Sequence, residues 1–209
     1  MIHTLIVPGV GGSNIDHWQS WLERQLKSTS RVQQDWDRPV LSMWVANMAE
    51  ALLQAPDNVQ IVAHSFGCLT SLATLDQYPE LCNKVKKLIL VAPANPARFC
   101  ATGFAQPIDS ASQATETEDN YRDYFLQLQP KVPTEMIMSE NDPWLSFDIA
   151  QQLSQVWQVP SRNLGQVGHI NVASGFGYFP EIFDHLLLAK QHGLAVHAED
   201  WIHRLKFSI

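Results

Sequence analysis

Three residues able to carry nucleophilic acyl chemistry stand far apart in the chain: Ser65, Asp142 and His169. A serine hydroxyl is a weak nucleophile near neutral pH and needs a base within hydrogen-bond reach. His169, beside Gly168, is the candidate base. It would take the proton as Oγ attacks a carbonyl carbon and later return it to the leaving group. Asp142 would accept a bond from the other ring nitrogen, fixing the tautomer and stabilising the imidazolium. Taken alone, Asn141-Asp142-Pro143 is a turn signal and His169 a loop histidine. Their order after Ser65 gives them meaning.

Ser65 is singled out by its surroundings. Val59-Gln60-Ile61-Val62-Ala63 is a short apolar run, and a helix-compatible run from Cys68 to Leu75 follows with no proline or loop between. A strand that turns sharply into a helix at a serine reads as a nucleophile elbow, which lifts Oγ above the end of a sheet. Gly67 supplies a missing Cβ where one would crowd the turn, and Ala63 stands where a glycine is usual. A match to small-x-Ser-x-Gly arises by chance roughly 0.1 to 0.2 times in a chain this long. The elbow alone is therefore weak, and the ordered Asp and His strengthen it. His64 adjoins the nucleophile, but its side chain should point away from Oγ. The other histidines have no metal-ligand spacing.

An oxyanion needs two backbone N–H donors. Phe66, just after the serine at a helix start, offers one, and Val10 in the loop Gly9-Val10-Gly11-Gly12 offers the second. Gly9 in that loop, together with Trp18, Phe104 and Trp144, is a candidate for substrate binding, with Phe66 as a further wall of an apolar acyl pocket. For the aromatic residues, core packing is an equally good reading.

The elements that must position these residues follow from the pattern. Thr4 to Val7 reads as a buried strand, and Trp18, Trp21, Leu22 and Leu26 fall at helical spacing. A second strand is expected around Arg31 to Gln34. Ser42 would cap a helix burying Trp44, Val45, Met48, Ala49, Leu52 and Leu53. Lys87 to Val91 and Thr134 to Met138 are core strands, and Arg162 to Leu164 is a last short one. Helices are expected through Tyr121 to Leu128, through Ala150 and Leu153, and through Ile182 to Leu187. A further short helix would lie around Trp201, Ile202 and Leu205. Residues 95–130 are loosely patterned, as a lid or pocket wall would be. Strands alternating with helices imply a parallel sheet covered on both faces, with its site at the strands' carboxyl ends. Ser65, Asp142 and His169 all fall there.

With 209 residues, 45% hydrophobic and 17% charged, the chain suits one domain over 1–209, ending in an extension at 190–209. A net charge of −7 without a basic run argues against nucleic acid or an anionic membrane as partner. No stretch reaches the ~20 apolar residues of a membrane span. The start Met1-Ile2-His3-Thr4 lacks a cationic leader, and three cysteines without metal spacing fit reduced thiols. A cytoplasmic protein is expected.

With the elbow, the Pro8-Gly9-x-Gly-Gly loop, the His17-Trp18-Gln19 helix start with Trp21, and Asn141-Asp142-Pro143 in view, the chain resembles a known family over Ile2 to Leu188. It is similar to the small α/β-hydrolases related to retinoblastoma-binding protein nine. The resemblance implies a three-layer α/β-hydrolase fold, with a mostly parallel central sheet and helices on both faces, and no separate cap domain. It also implies no metal or organic cofactor, and a triad at Ser65, Asp142 and His169. The expected function is a serine hydrolase of small carboxylic esters, amides or thioesters, acting on a small acyl substrate. A catalytically silent protein-binding module and an acyltransferase using the same triad are the other readings. Oligomeric state and the natural acyl group are not legible.

Overall fold

Apolar runs of five to nine residues set the sheet, and the polar or glycine-rich joints between them set where it opens. In the computed structural model, which describes residues 1–105 and 120–187, β1 (His3–Val7) is followed by α1 (Trp18–Gln25), β2 (Thr29–Arg31) and α2 (Leu41–Gln54). Next come β3 (Val59–Ser65), α3 (Phe66–Gln77), a 3-10 segment (Pro79–Lys84) and β4 (Val85–Pro93). A 3-10 turn (Pro96–Arg98), the hairpin β5 (Phe99–Cys100) and β6 (Gly103–Phe104), and α4 (Arg122–Gln127) lead to β7 (Thr134–Met138). The order closes with α5 (Phe147–Val156), β8 (Ser161–Asn163) and the 3-10 segments Val172–Ser174 and Pro180–His185. Six strands form one sheet in the order β2-β1-β3-β4-β7-β8, with all neighbouring pairs parallel.

Successive side chains of a strand point to opposite faces, so each apolar strand feeds two cores. Leu5, Ile61, Leu90 and Met136 join α2, α3, α4 and α5 on one face. Ile6, Val62, Ile89 and Ile137 join Trp18 and Leu22 of α1, and Phe179 and Ile182, on the other. The result is three layers with a helix-covered parallel sheet, as the sequence implies. Residues Phe66 to Leu75 of α3 are all buried, which a helix tolerates only if its polar side chains are satisfied. Thr70, Ser71 and Thr74 meet this by donating to the carbonyls of Phe66, Gly67 and Thr70 one turn back.

Several expectations shift. The second strand lies at Thr29–Arg31 rather than around Arg31 to Gln34, because those are the residues in register with Thr4 to Ile6. Ser42 is inside α2, whose N-cap is Val40. Leu53 is exposed because it has drifted past the edge of the face formed by Trp44, Met48 and Leu52. The closing helix is a 3-10 segment: Ile182 and His185, three apart, share its buried side, and Leu187 lies beyond it. It is tied to the strand starts by Lys87, whose Nζ donates to His185 O at 2.7 Å and pairs with Glu135 at 3.0 Å. Of the 95–130 region, the parts 95–105 and 120–130 are ordered against the core, α4 being held to α5 by Trp157 Nε1 donating to Phe125 O at 2.8 Å. Residues 106–119, and with them the acidic patch, lie outside the described residues. So do the tail beyond Leu187 and the helix expected around Trp201. Cys68, Cys82 and Cys100 are free thiols. No described helix is long and apolar enough to cross a membrane.

One buried side chain ties the site end of the sheet together. Gln19, fully buried, donates from Nε2 to Val62 O at 3.0 Å and to Val7 O at 3.3 Å, and accepts from Ser13 Oγ at 2.7 Å. It satisfies the carbonyls of Val7 at the end of β1 and of Val62 within β3, and through Ser13 anchors the loop after β1 to both. Replacing Gln19 with Leu leaves these groups unpaired, and we expect a loss of about 2–4 kcal/mol in urea unfolding.

Candidate active site

The elbow is explicit in the backbone. Ser65 has φ 55° and ψ −124°, between the last rung of β3 and the first turn of α3. A Cβ on Gly67 would strike the carbonyl oxygens of Val7 and Pro8, and one on Gly9 would stand 2.6 Å from Ser65 Cβ. The elbow and the glycine loop therefore pack backbone to backbone. Val10 follows Gly9 in that loop and Phe66 follows the serine.

Ser65, Asp142 and His169 come together. His169 Nε2 lies 2.8 Å from Ser65 Oγ, and its Nδ1 lies 2.8 Å from Asp142 Oδ2. A carboxylate only accepts, so Nδ1 carries the proton and Nε2 is left to accept from the hydroxyl. Asp142 Oδ1 accepts from Trp144 N–H at 2.8 Å, so both carboxylate oxygens are engaged, and Asp142 and His169 are buried.

Side chains from four places pin the loop that carries the imidazole. Asn141 Oδ1 accepts from Gly168 N–H at 2.7 Å, and Ser174 Oγ accepts from His169 N–H at 2.9 Å. His64 Nε2 donates to His169 O at 2.9 Å, and Trp18 Nε1 donates to Ile170 O at 2.8 Å. A Cβ on Gly168 would collide with Ser174, and its φ of 62° suits glycine, so the close turn requires that residue. The His64 Nε2 is thus engaged by a carbonyl. It holds the base through its main chain.

Two neutral imidazoles neighbour the His169 side chain. The His64 ring lies 4.9 Å from that of His169 and 5.0 Å from that of His17. Burial holds His64 well below the usual histidine range, and burial followed by the nearby Arg31 charge brings His17 down to about 4. Near neutral pH these neighbours carry no charge to oppose an imidazolium at His169.

The substrate-binding candidates divide. Gly9 backs directly onto Ser65, as stated. Trp144 is 43% exposed, its ring lying 6.3 Å from that of His169, whereas Phe104, 44% exposed, stacks on Phe99. Trp18 is the correction: it has no exposed surface, and its ring belongs to the core on the α1 face, where it secures Ile170. Phe66 is likewise fully buried, meeting Trp44 edge-on and Phe99 at a tilt. The residues that sequence reasoning missed are Asn141, Ser174 and Gln19. Asn141, beside Asp142, and Gln19, in the His17-Trp18-Gln19 helix start, had a signal, and Ser174 had none. A cavity of about 600 Å³ between α5 and β8, lined by Met138, Phe147 and Ser161, holds none of the triad residues. Among the described residues, no group of three His, Cys, Asp or Glu could hold a metal ion.

A family model described as serine hydrolase matches residues 4–188. The chain belongs to the serine hydrolase family. YdeN of Bacillus subtilis strain 168, named as a hydrolase, is 24% identical over 185 residues, which cover 86% of this chain and 91% of that protein. The solved structure of a YdeN-like hydrolase from Pectobacterium atrosepticum is 32% identical, covers 89% of each chain and superposes with a TM-score of 0.70. An α/β-superfamily hydrolase from Oenococcus oeni shares the fold at 9% identity, with a TM-score of 0.59 over 88% of this chain and 90% of that one. The architecture is the three-layer α/β-hydrolase fold, and the family is one of enzymes.

The buried histidines make stability pH-dependent in a stated direction. His17 binds a proton less readily folded than unfolded, so between about 6.5 and about 4 the unfolded state holds more protons. Stability therefore falls as the pH drops through that window, by about 3 kcal/mol from His17 alone. His17→Asn keeps an acceptor for Gln19 N–H but cannot titrate. Its unfolding free energy should fall less steeply between pH 6.5 and 4 than that of the wild type.

Proposed function

We propose that this serine hydrolase cleaves small carboxylic esters, and amides or thioesters by the same route, through an acyl-enzyme on Ser65. The carrying observation is the bridging imidazole, 2.8 Å from Ser65 Oγ on one side and 2.8 Å from Asp142 on the other. The Oγ–H proton passes to His169 Nε2 as Oγ bonds to the carbonyl carbon. The carbonyl electron pair moves onto oxygen, toward the N–H groups of Phe66 and Val10. As the carbonyl re-forms, the bond to the leaving group breaks and that group takes the proton from His169. Water then repeats the sequence: its proton goes to His169, its oxygen bonds to the acyl carbon, and Ser65 leaves reprotonated. Asp142 stays ionised throughout, holding Nδ1–H.

The Pro8-Gly9-x-Gly-Gly loop, the helix start at His17-Trp18-Gln19 and Asn141-Asp142-Pro143 support a closer kinship, within the family, with the small hydrolases related to retinoblastoma-binding protein nine. Hydrolysis, rather than transfer to another acceptor, accords with YdeN being named a hydrolase. We place the enzyme in the cytoplasm, with a small acyl substrate as its partner. Ser65→Ala should abolish labelling by a fluorophosphonate and lower kcat on short p-nitrophenyl esters by about 10⁴–10⁶-fold, with Asp142→Asn costing about 10⁴-fold. Labelling that survives Ser65→Ala removes Ser65 as the nucleophile.

A further inference from the structure

Arg98 ends the 3-10 turn just beyond β4, and its position is fixed from both sides. Its N–H donates to Asn95 O at 3.0 Å and its carbonyl accepts from Ala105 N–H at 2.9 Å. The next residue, Phe99, stacks on Phe66, which follows the serine, at 4.3 Å, and on Phe104 at 5.2 Å. The guanidinium carbon lies 4.3 Å over the Trp144 ring. That ring neighbours His169, and the Trp144 N–H is bonded to Asp142. Arg98 thus joins the loop after β4 to the loop that carries Asp142, with the Trp144 ring as the contact it shares with His169.

A guanidinium lying on an aromatic face keeps its in-plane N–H donors free. No described carboxylate pairs with Arg98, whereas Arg31, Lys87 and Lys131 each have one. A planar fork of donors fits a carboxylate in two-point contact. The half-exposed Trp144 ring supplies apolar surface against it. In a chain with a net charge of −7, an anionic substrate gains nothing from the overall field and depends on a local cation.

We infer that Arg98, seated on Trp144, is a specificity-determining residue that binds a free carboxylate on the substrate, so the preferred substrates are half-esters of dicarboxylic acids. This rests on the acyl-enzyme reading above. The test compares monomethyl succinate with its neutral isostere methyl 4-methylpentanoate, following methanol release by the wild type, Arg98→Gln and Arg98→Lys. The wild type should favour the anionic ester about ten-fold or more in kcat/KM, with the preference shrinking as salt is raised. Arg98→Gln should remove that preference, mainly through KM, while leaving the neutral ester within about two-fold, and Arg98→Lys should retain part of it. Equal turnover of both esters by the wild type overturns the role of Arg98 and leaves the hydrolase reading standing. So does an equal loss on both esters in Arg98→Gln. Failure of the folded wild type on both esters, and on short p-nitrophenyl esters, overturns the hydrolase reading and this inference with it.

Discussion

The backbone of one residue constrains the rest of the molecule. Ser65 is held at φ 55° and ψ −124°, a conformation that a residue with a Cβ avoids at a cost of about 1–3 kcal/mol. Its neighbours impose it. The strand before it is buried through His64, the helix after it is buried through Leu75, and neither can move without opening a core. Gly67 and Gly9 let main chain approach main chain where no side chain would fit. The strain is thus offset by packing on both faces of the sheet, and the hydroxyl projects from a rigid base.

The histidine loop solves a harder problem, because no regular element carries it. His169 lies beyond β8, and its place is set by main-chain bonds to Asn141, Ser174, His64 and, one residue on, Trp18. Two of these anchors come from the serine's own side of the molecule: His64 precedes Ser65 on β3, and Trp18 starts the helix after the glycine loop. Nucleophile and base are therefore registered to the same strand end. Fixing them in advance spares the reaction the entropy of bringing them together. The neutral, buried His17 and His64 themselves add no positive charge beside the position where an imidazolium would form.

What was legible in the sequence was local. Thr134 to Met138 matches β7 to the residue, because an apolar run between Pro133 and a polar turn has only one strand reading. The buried face of α2 follows from helical periodicity, except at Leu53 on its edge. The elbow was legible because strand, serine, glycine and helix are contiguous. Trp18 was not: its bond to Ile170 spans 152 residues, and a tryptophan at helical spacing looks the same whether it lines a pocket or braces a loop. Asn141, Ser174 and Gln19 act through side-chain bonds to main chain of other segments, which leave no periodic trace. The segment Pro180–His185 pairs residues three apart, and so short a run cannot separate a 3-10 turn from the start of an α-helix.

All of this converges on the claim that one imidazole joins a hydroxyl and a carboxylate. Nitrogen-15 and proton NMR of the His169 ring tests it directly, by locating the ring proton in the resting enzyme. The expected result is a proton fixed on Nδ1, shifted far downfield by its bond to Asp142, which is lost or moved to Nε2 in Asp142→Asn. A ring protonated on Nε2 in the wild type, with a spectrum unchanged by Asp142→Asn, would contradict it.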